Sequence, residues 1–164
     1  MIAESRNLAT RWALCALFII VLMGWGCAGG PRDLQGANLE NTDLRGADLR
    51  GQNLQGAKMW NAKLQGANLQ NVNLRGADLG GANMEGANLA GADLEGARLQ
   101  GANLMGVRLQ DANLVDAHLQ GANLQNADLS RANFRGANLE SANLEGANLQ
   151  GVDLEAAKMG KSAF

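Results

Sequence analysis

The chain has few of the residues from which metal sites and catalytic centres are usually built. Its 164 residues include one histidine, two cysteines, one proline and no tyrosine. Both cysteines, Cys15 and Cys27, precede residue 28, so no disulfide can form within the remainder of the sequence. His118 has neither a second histidine nor a cysteine there with which to hold a metal ion, and zinc is bound mainly by these side chains. We therefore expect no metal site and no cofactor.

The sequence also lacks a dominant charge. Its net charge is −2, and residues 32–160 contain eleven basic and fifteen acidic residues, a net charge of −4. A nucleic-acid-binding surface needs a basic patch or stripe, so we expect no nucleic-acid partner. Asp116 lies two residues before His118, which would suit a general base oriented by a carboxylate. A solvated surface pair explains the same residues more simply, and we predict that the protein is not an enzyme.

Instead, residues 32–160 form one short repeat with almost no interruption. Its pattern is A-(N/D)-L-x-G, and a central apolar residue recurs every five residues from Leu34 to Met159, which gives 26 central positions. Twenty-two of these are leucine, and the others are Met59, Met84, Phe134 and Met159. A repeat of fixed period indicates a repetitive architecture in which each unit buries its apolar side against its neighbours.

A period of five fits neither an α-helix nor a flat strand. On a helix, residues five apart are separated by about 140°, so the leucines would spiral around every face. On a flat strand, an odd period would send successive leucines to opposite faces. A chain that turns a corner in every repeat directs the leucines and the preceding alanines to one axis. Glycine at the corner tolerates a positive φ, and Asn or Asp bonds readily to nearby backbone.

The repeat resembles the pentapeptide-repeat family over about four-fifths of the chain. The resemblance implies an all-β fold, a right-handed quadrilateral β-helix with four pentapeptides per coil and about six and a half coils. Six repeats lack Asn or Asp before the central residue. Four of these exceptions differ by multiples of 20 residues, so they would share one face of a four-sided coil: Lys58, Arg98, His118 and Lys158.

The first 27 residues have the character of a signal peptide or a membrane anchor. Residues 12–25 are apolar and uncharged, and they follow a basic start. This arrangement, with small residues afterwards, is typical of a secretory signal, and an uncleaved anchor helix extended to about residue 30 is the alternative. The stretch Gly26-Cys27-Ala28 resembles a bacterial lipoprotein signal, in which the cysteine carries lipid. Cys27 is therefore the candidate lipidation site.

Three outward positions that are otherwise polar, small or charged hold apolar residues, namely Trp60, Met105 and Val115. Trp60 also lies on the face predicted for the cationic exceptions. An exposed aromatic side chain beside cations favours contact with a protein or a polar polymer. The candidate partner-contact residues are Lys58, Trp60, Arg98, Met105, Val115 and His118.

The sequence predicts four regions: 1–27 as signal peptide or anchor, 28–31 as linker, 32–160 as the β-helix and 161–164 as a C-terminal tail. The N-terminal features indicate a bacterial cell-envelope protein that faces outside the cytoplasm, as an outer-membrane lipoprotein or in the periplasm. A rigid rod tethered at its N-terminus predicts a scaffold for protein binding or structural support, and the family resemblance implies a homodimer through the C-terminal coil. It also implies an alternative, a DNA mimic that binds topoisomerase in the cytoplasm, which the export signal and the interspersed charges disfavour.

Overall fold

The computed structural model describes residues 33–161, and within that range it contains no helix and no continuous strand. The described backbone forms 21 isolated parallel bridges, and the two partners of every bridge are 20 residues apart, from Asp33 with Asn53 to Asn138 with Lys158. One coil is therefore four pentapeptides, which confirms the four-sided arrangement. With neighbouring chains about 4.8 Å apart, these residues build a rod roughly 30 Å long.

The rod has four faces, and each face is formed by every fourth pentapeptide. Face 1 has its central residues at Leu34 and every twentieth residue thereafter, face 2 at Leu39, face 3 at Leu44 and face 4 at Leu49, each continued in the same way. On every face, the residues before and after the central residue form two outward columns that run along the rod. The residue that follows these columns occupies the corner to the next face.

Each pentapeptide is bonded through its backbone to the coils on both sides. On face 1, Leu74 N–H donates to Asp93 C=O at 2.7 Å, and Asn73 N–H donates to Gln52 C=O at 3.0 Å. At the following corner, Ala77 N–H donates to Leu74 C=O at 3.0 Å and closes a tight turn. Repetition of these bonds pairs the backbone groups of successive coils, so a chain without long strands can enclose a core.

Every corner residue from Gly36 to Gly151 has a positive φ. Most are glycine, and the others are Asn41, Asn61, Asn71, Asp111, Asp116, Asn126, Arg131 and Ser141. Asn and Asp tolerate this left-handed conformation better than other residues with a side chain, which explains why they replace glycine there. Arg131 tolerates it less well, but its guanidinium makes two 2.7 Å hydrogen bonds to the Asp111 carboxylate on the adjacent coil.

The central residues and the small residues two positions before them form one continuous core. From Leu39 to Leu144 every central residue is at most 2% exposed, and the alanine or valine two positions before it is buried as well from Ala57 to Ala142. Burying one leucine side chain contributes roughly 1.5–3 kcal/mol, so this core is the main favourable term in the folding free energy. The predicted inward assignment of these positions is confirmed.

The Asn or Asp before the central residue holds the turn from outside. In all 20 described pentapeptides that have one there, its Oδ1 accepts the N–H of the residue two positions later, at 2.9–3.3 Å. Five pairs of these side chains, each pair 20 residues apart, are also hydrogen-bonded to each other along the rod. In one of them, Asn73 Nδ2 donates to Asn53 Oδ1 at 3.1 Å. The preference for Asn and Asp in the repeat therefore has a structural cause.

The coils are regular near the N-terminal end and change near the C-terminal end. Thr42 and Gln52 replace the usual alanine, yet their backbones keep the repeating bonds, as where Lys63 N–H donates to Thr42 C=O at 2.9 Å. Ala156 occupies a corner but does not have a positive φ. At the corners before Gly136, the N–H donates to the C=O 19 residues later, which for Gly136 would be that of Glu155. Gly136 N–H instead donates to Ala156 C=O, so the hydrogen bonding shifts by one residue there.

Several predictions concern residues outside the described range. They are the signal or anchor helix of residues 1–27, the lipidation of Cys27, the linker of residues 28–31 and most of the tail of residues 161–164. Residues 33–161 contain no helix of the length and apolarity that a membrane span requires.

Candidate interaction surface

Four of the six predicted contact residues lie on face 2. Consecutive bridges join Lys58 to Asp78, Asp78 to Arg98 and Arg98 to His118, so these residues form one column along the rod. Lys58, Arg98 and His118 are exposed. Asp78 is half-buried, and its Oδ1 accepts the Gly80 N–H at 3.2 Å. The column therefore places a carboxylate between two cations at one-coil intervals.

Trp60, on the same face, is the one large exposed hydrophobic side chain among residues 33–161, and 51% of its surface is accessible. Its indole lies against Gly80 of the next coil. A Cβ atom at Gly80 would stand only 2.9 Å from Trp60 Cδ1 and 3.3 Å from Nε1. Gly80 is buried although it occupies an outward position, and its φ is not positive. Its lack of a side chain thus makes room for the indole rather than for a turn.

Face 2 differs from the other faces because its cations form no ion pair with another described residue. The ion pairs between residues 33 and 161 lie on face 1, face 3, face 4 and the corner after face 4, and none includes a cation of face 2. On face 3, for example, the Arg45 guanidinium donates to both oxygens of Asp43 at 2.8 and 2.6 Å. Lys58 and Arg98 therefore keep their charged groups available to a partner.

Face 2 also differs in net charge. When each corner is counted with the face that it follows, face 2 has four basic and three acidic residues between positions 33 and 161, a net charge of +1. Face 1 has two basic and six acidic residues, a net charge of −4, whereas face 3 is at −1 and face 4 at 0. Across the described residues, face 2 alone has a positive net charge.

On face 1, the charged groups bond to one another. Arg75 Nη1 lies 2.5 Å from Glu95 Oε2 and 3.2 Å from Asp93 Oδ2, and Asn113 Nδ2 donates to Asp93 Oδ1 at 3.0 Å. The hydrogen bond to Glu95, and to a smaller extent the hydrogen bond to Asp93, raise the pKa of Arg75 above its ordinary value. Val115, a predicted contact residue, is half-buried on this face.

The predicted apolar contact residues do not meet. Met105 is half-buried on face 3, so Trp60, Met105 and Val115 lie on three different faces. Asp116 occupies the corner before the face 2 residue His118, and no hydrogen bond between described residues joins their side chains. Residues 33–161 also contain no cluster of three or more His, Cys, Asp or Glu side chains that could hold a metal ion.

Sequence reasoning missed two residues of this surface, Asp78 and Gly80. Asp78 fits the usual repeat and is unremarkable until its 20-residue neighbours are considered. Gly80 had a visible signal, because glycine otherwise follows the central residue only at Gly160. Gly80 is 20 residues after Trp60, so it lies beside Trp60 on the next coil and has no side chain that would displace the indole.

Acid is expected to lower the stability of the rod. The Arg45 guanidinium beside Asp43 lowers the pKa of that carboxyl to about 2, and the Ser130 backbone N–H lowers the pKa of Asp128. A carboxyl whose pKa is lower in the folded state stabilises the fold above its unfolded pKa of about 4, and this contribution is lost as the pH falls. We expect the melting temperature to hold from pH 7 to pH 5 and to fall between about pH 4 and pH 2.

Thermal unfolding followed by circular dichroism at each pH would measure this effect. The Asp128→Asn variant is the control and should show a smaller fall over the same range, because asparagine does not titrate. A melting temperature that rises below about pH 4 would contradict the assignment of these carboxylates.

Comparison with known proteins agrees with this geometry. A family model described as pentapeptide repeats matches residues 33–71, 73–111 and 112–151, in eight copies. The chain is 37% identical to HetL, a pentapeptide repeat protein involved in heterocyst differentiation regulation from the cyanobacterium Nostoc sp. strain PCC 7120; the match covers 78% of this chain and 68% of HetL, with a TM-score of 0.66. It is 31% identical to Rfr23, a pentapeptide repeat protein from the cyanobacterium Cyanothece 51142, over 75% of this chain and 88% of that one, with a TM-score of 0.50.

No curated protein matches the chain. The matched repeats nevertheless cover more than half of its length, and they coincide with the 20-residue coils of the structure. The structures that it resembles are right-handed quadrilateral β-helices. On these grounds the chain belongs to the pentapeptide-repeat family.

Proposed function

We propose that this protein is a non-enzymatic scaffold, exported and held at the bacterial cell envelope by its N-terminus, that presents the faces of a rigid rod to partner macromolecules. The observation that supports a scaffold most is the continuous core, in which central residues from Leu39 to Leu144 are at most 2% exposed. Such a core fixes the outward columns at intervals of about 4.8 Å, which suits recognition of an extended or repetitive partner.

The relatives support binding rather than catalysis. HetL is described as involved in heterocyst differentiation regulation, a role that an interaction protein can fill without chemistry of its own. Pentapeptide-repeat proteins are in general structural or interaction proteins. We extend this character to the present chain, with face 2 as its contact surface.

Export and tethering rest on the N-terminal sequence. A basic start, the apolar residues 12–25 and the Gly26-Cys27-Ala28 stretch together favour a lipoprotein signal with Cys27 as the lipidated residue. A lipidated Cys27 with two or more acyl chains would hold the rod at the membrane surface, because two chains bind a membrane far more firmly than one. The protein would then lie outside the cytoplasm, at the outer membrane or in the periplasm.

Self-association through the C-terminal coil is part of the same proposal. Leu149, Leu154 and Met159 are only half-buried, in contrast to their counterparts in the middle of the rod. Coil edges also present backbone groups that can pair with a second chain. A homodimer would cover this apolar end.

The magnitude of the charge disfavours the alternative, a DNA mimic that binds topoisomerase in the cytoplasm. Duplex DNA has one negative charge per about 1.7 Å of axis, so a rod of roughly 30 Å would need about 18 to match it. Face 1, the most acidic face of the described rod, has a net charge of only −4.

The intact mass of the protein from the membrane and soluble fractions of its native host would test the proposal. We expect a mass for residues 27–164 plus acyl chains, in the membrane fraction. A mass for the unmodified full chain in the cytosol would refute export and reopen the topoisomerase alternative. The Cys27→Ala variant is the matched control and should lack the acyl mass and retain residues 1–26, because cleavage there requires a lipid-bearing cysteine.

A further inference from the structure

Trp60 forms an isolated aromatic platform on a polar face. Its indole lies against Gly80, which is buried beneath it, while half of the side chain remains accessible. No other large hydrophobic side chain between residues 33 and 161 is exposed, so the platform is about one ring wide. An aromatic ring in this position offers an apolar surface and, through its Nε1–H, a hydrogen-bond donor.

Polar groups surround the platform on the same face. Asp78 reaches the space beside the indole, since a Cβ atom at Gly80 would stand 3.3 Å from Asp78 Oδ1 as well as 2.9 Å from Trp60 Cδ1. Lys58 and Arg98 lie one coil to either side of Asp78 in the same column, and both are exposed and outside every ion pair of the described rod. The platform is thus bordered by two cations and by two carboxylates, Asp78 and the exposed Glu40, which lies one coil before Trp60 in the same column.

This combination fits a sugar ring better than a protein side. A pyranose ring has an apolar C–H face, which can stack on an indole, and hydroxyl groups at its edge, which bond to carboxylates, ammonium and guanidinium groups. A protein hot spot instead clusters several anchor residues, among which Trp, Tyr and Arg are common, within a ring of further contacts that excludes water. Met105 and Val115 lie on other faces, so face 2 has no such cluster.

The exposed cations Lys58 and Arg98 of face 2 favour a sugar that carries a negative charge. The net charge of face 2 is +1, but two of its four cations, Lys158 and Lys161, lie at the C-terminal end of the rod, so the cations available beside Trp60 are Lys58 and Arg98. Lys58 and Arg98 are two coils apart, or about 10 Å, a distance comparable with the length of a disaccharide. Carboxylates on alternate sugars of an extended chain, one disaccharide apart, would therefore reach both cations.

We propose that face 2 binds an acidic polysaccharide along the rod axis, with one sugar ring stacked on Trp60, its hydroxyl groups bonded to Asp78 and its carboxylates bonded to Lys58 and Arg98. This inference rests on the proposed function in one respect, that the rod is a scaffold which acts by binding. It does not depend on where the protein is located in the cell.

Titration of the purified full-length chain with hexagalacturonic acid, followed by calorimetry and tryptophan fluorescence, would test the proposal. Cellohexaose is the neutral comparison, because its rings lack the carboxylate. A Trp12→Phe, Trp25→Phe background leaves Trp60 as the sole tryptophan for fluorescence. We expect hexagalacturonic acid to bind and to shift the Trp60 emission, and cellohexaose to bind at least about tenfold more weakly.

Variants of face 2 separate the platform from the cations. Trp60→Ala should weaken binding by about tenfold or more, since stacking on an aromatic ring is lost, and Trp60→Phe should weaken it less. The Lys58→Gln, Arg98→Gln double variant should lose about tenfold for hexagalacturonic acid and little for cellohexaose. Gly80→Ala should displace the indole, change its emission before any ligand is added and weaken binding.

The matched control is the Lys63→Gln, Arg108→Gln double variant, which removes the same charges from face 3 and face 4. Both residues are exposed, occupy the same column position as Lys58 and Arg98 and belong to no ion pair of the described rod. Binding should change less than about twofold in this variant. Circular dichroism should show every variant folded.

The proposal is overturned if the folded chain does not bind hexagalacturonic acid, if Trp60→Ala binds as well as the parent, or if the control variant loses as much as the face 2 variant. Equal binding of cellohexaose would overturn the acidic character of the ligand. Each result is independent of the intact-mass experiment. An exported lipoprotein that binds no saccharide would refute this inference alone, and a cytosolic chain that binds one would refute the location alone.

Discussion

Replacement of Leu94 by aspartate is expected to abolish the native fold. Leu94 lies in the middle of the rod on face 1, is 1% exposed, and sits between Leu74 and Leu114, which are fully buried. Removal of a buried leucine side chain costs about 2–5 kcal/mol, and burial of an unpaired carboxylate costs several kcal/mol more. Since the free energy of unfolding of a domain is typically about 5–15 kcal/mol, this one substitution is large enough to make the folded state unstable.

The linear architecture enlarges the effect. Each coil contacts only its neighbours, so a break at Leu94 also removes the partner surfaces of the coils on either side. Far-UV circular dichroism and urea titration would measure the outcome, with loss of the cooperative unfolding transition as the expected result.

Gln100→Asp provides the control for Leu94→Asp. Gln100 lies in an outward column on face 2 and is exposed, so a carboxylate there stays hydrated. Surface substitutions of this kind usually change stability by less than about 0.5 kcal/mol. Equal melting temperatures for the Leu94 and Gln100 variants would refute the assignment of inward and outward positions.

The regular part of the fold could be predicted because the repeat leaves one geometric solution. A five-residue period with leucine at its centre and alanine two residues earlier can bury both only in a coil with corners. The number of sides came from the family resemblance and from the 20-residue spacing of Lys58, Arg98, His118 and Lys158, and the bridges agree with it. Two cationic exceptions, Lys63 and Arg108, lie on other faces.

The departures from the repeat were harder to predict because they depend on contacts between coils. Arg131 occupies a corner where a positive φ is unfavourable for a long side chain, and only the structure shows its bonds to Asp111. The shift at Ala156 follows from a corner without a positive φ, whose consequence for Gly136 is not written in the local sequence. The proximity of Trp60 to Gly80 likewise required the register of adjacent coils.

The corner residue Asn71 restricts the corner on the next coil, Gly91. Asn71 has a φ of 53°, and its Oδ1 lies too close to the position of a Cβ atom at Gly91 for both to be accommodated. Gly101, a corner in the same central region, has a φ of 63° and open space around the corresponding position. The two glycines therefore share a backbone conformation and differ in their surroundings.

Gly91→Ala is accordingly expected to destabilise the rod more than Gly101→Ala. Both variants must hold alanine in the left-handed conformation, which costs about 1–2 kcal/mol. Gly91→Ala must also displace the Asn71 amide, and overpacking of this kind costs about 1–3 kcal/mol more. Urea unfolding of both variants would give the two changes in the free energy of unfolding.

The steric origin of the difference can be isolated with a third substitution. In an Asn71→Gly background the overlapping oxygen is absent, so Gly91→Ala should cost no more than Gly101→Ala, about 1–2 kcal/mol. A Gly91→Ala penalty that persists unchanged in this background would show that backbone strain alone accounts for it. If the penalty falls, Asn71 constrains the corner of the coil that follows it, and the residue allowed at Gly91 is set by a neighbouring side chain as well as by the backbone.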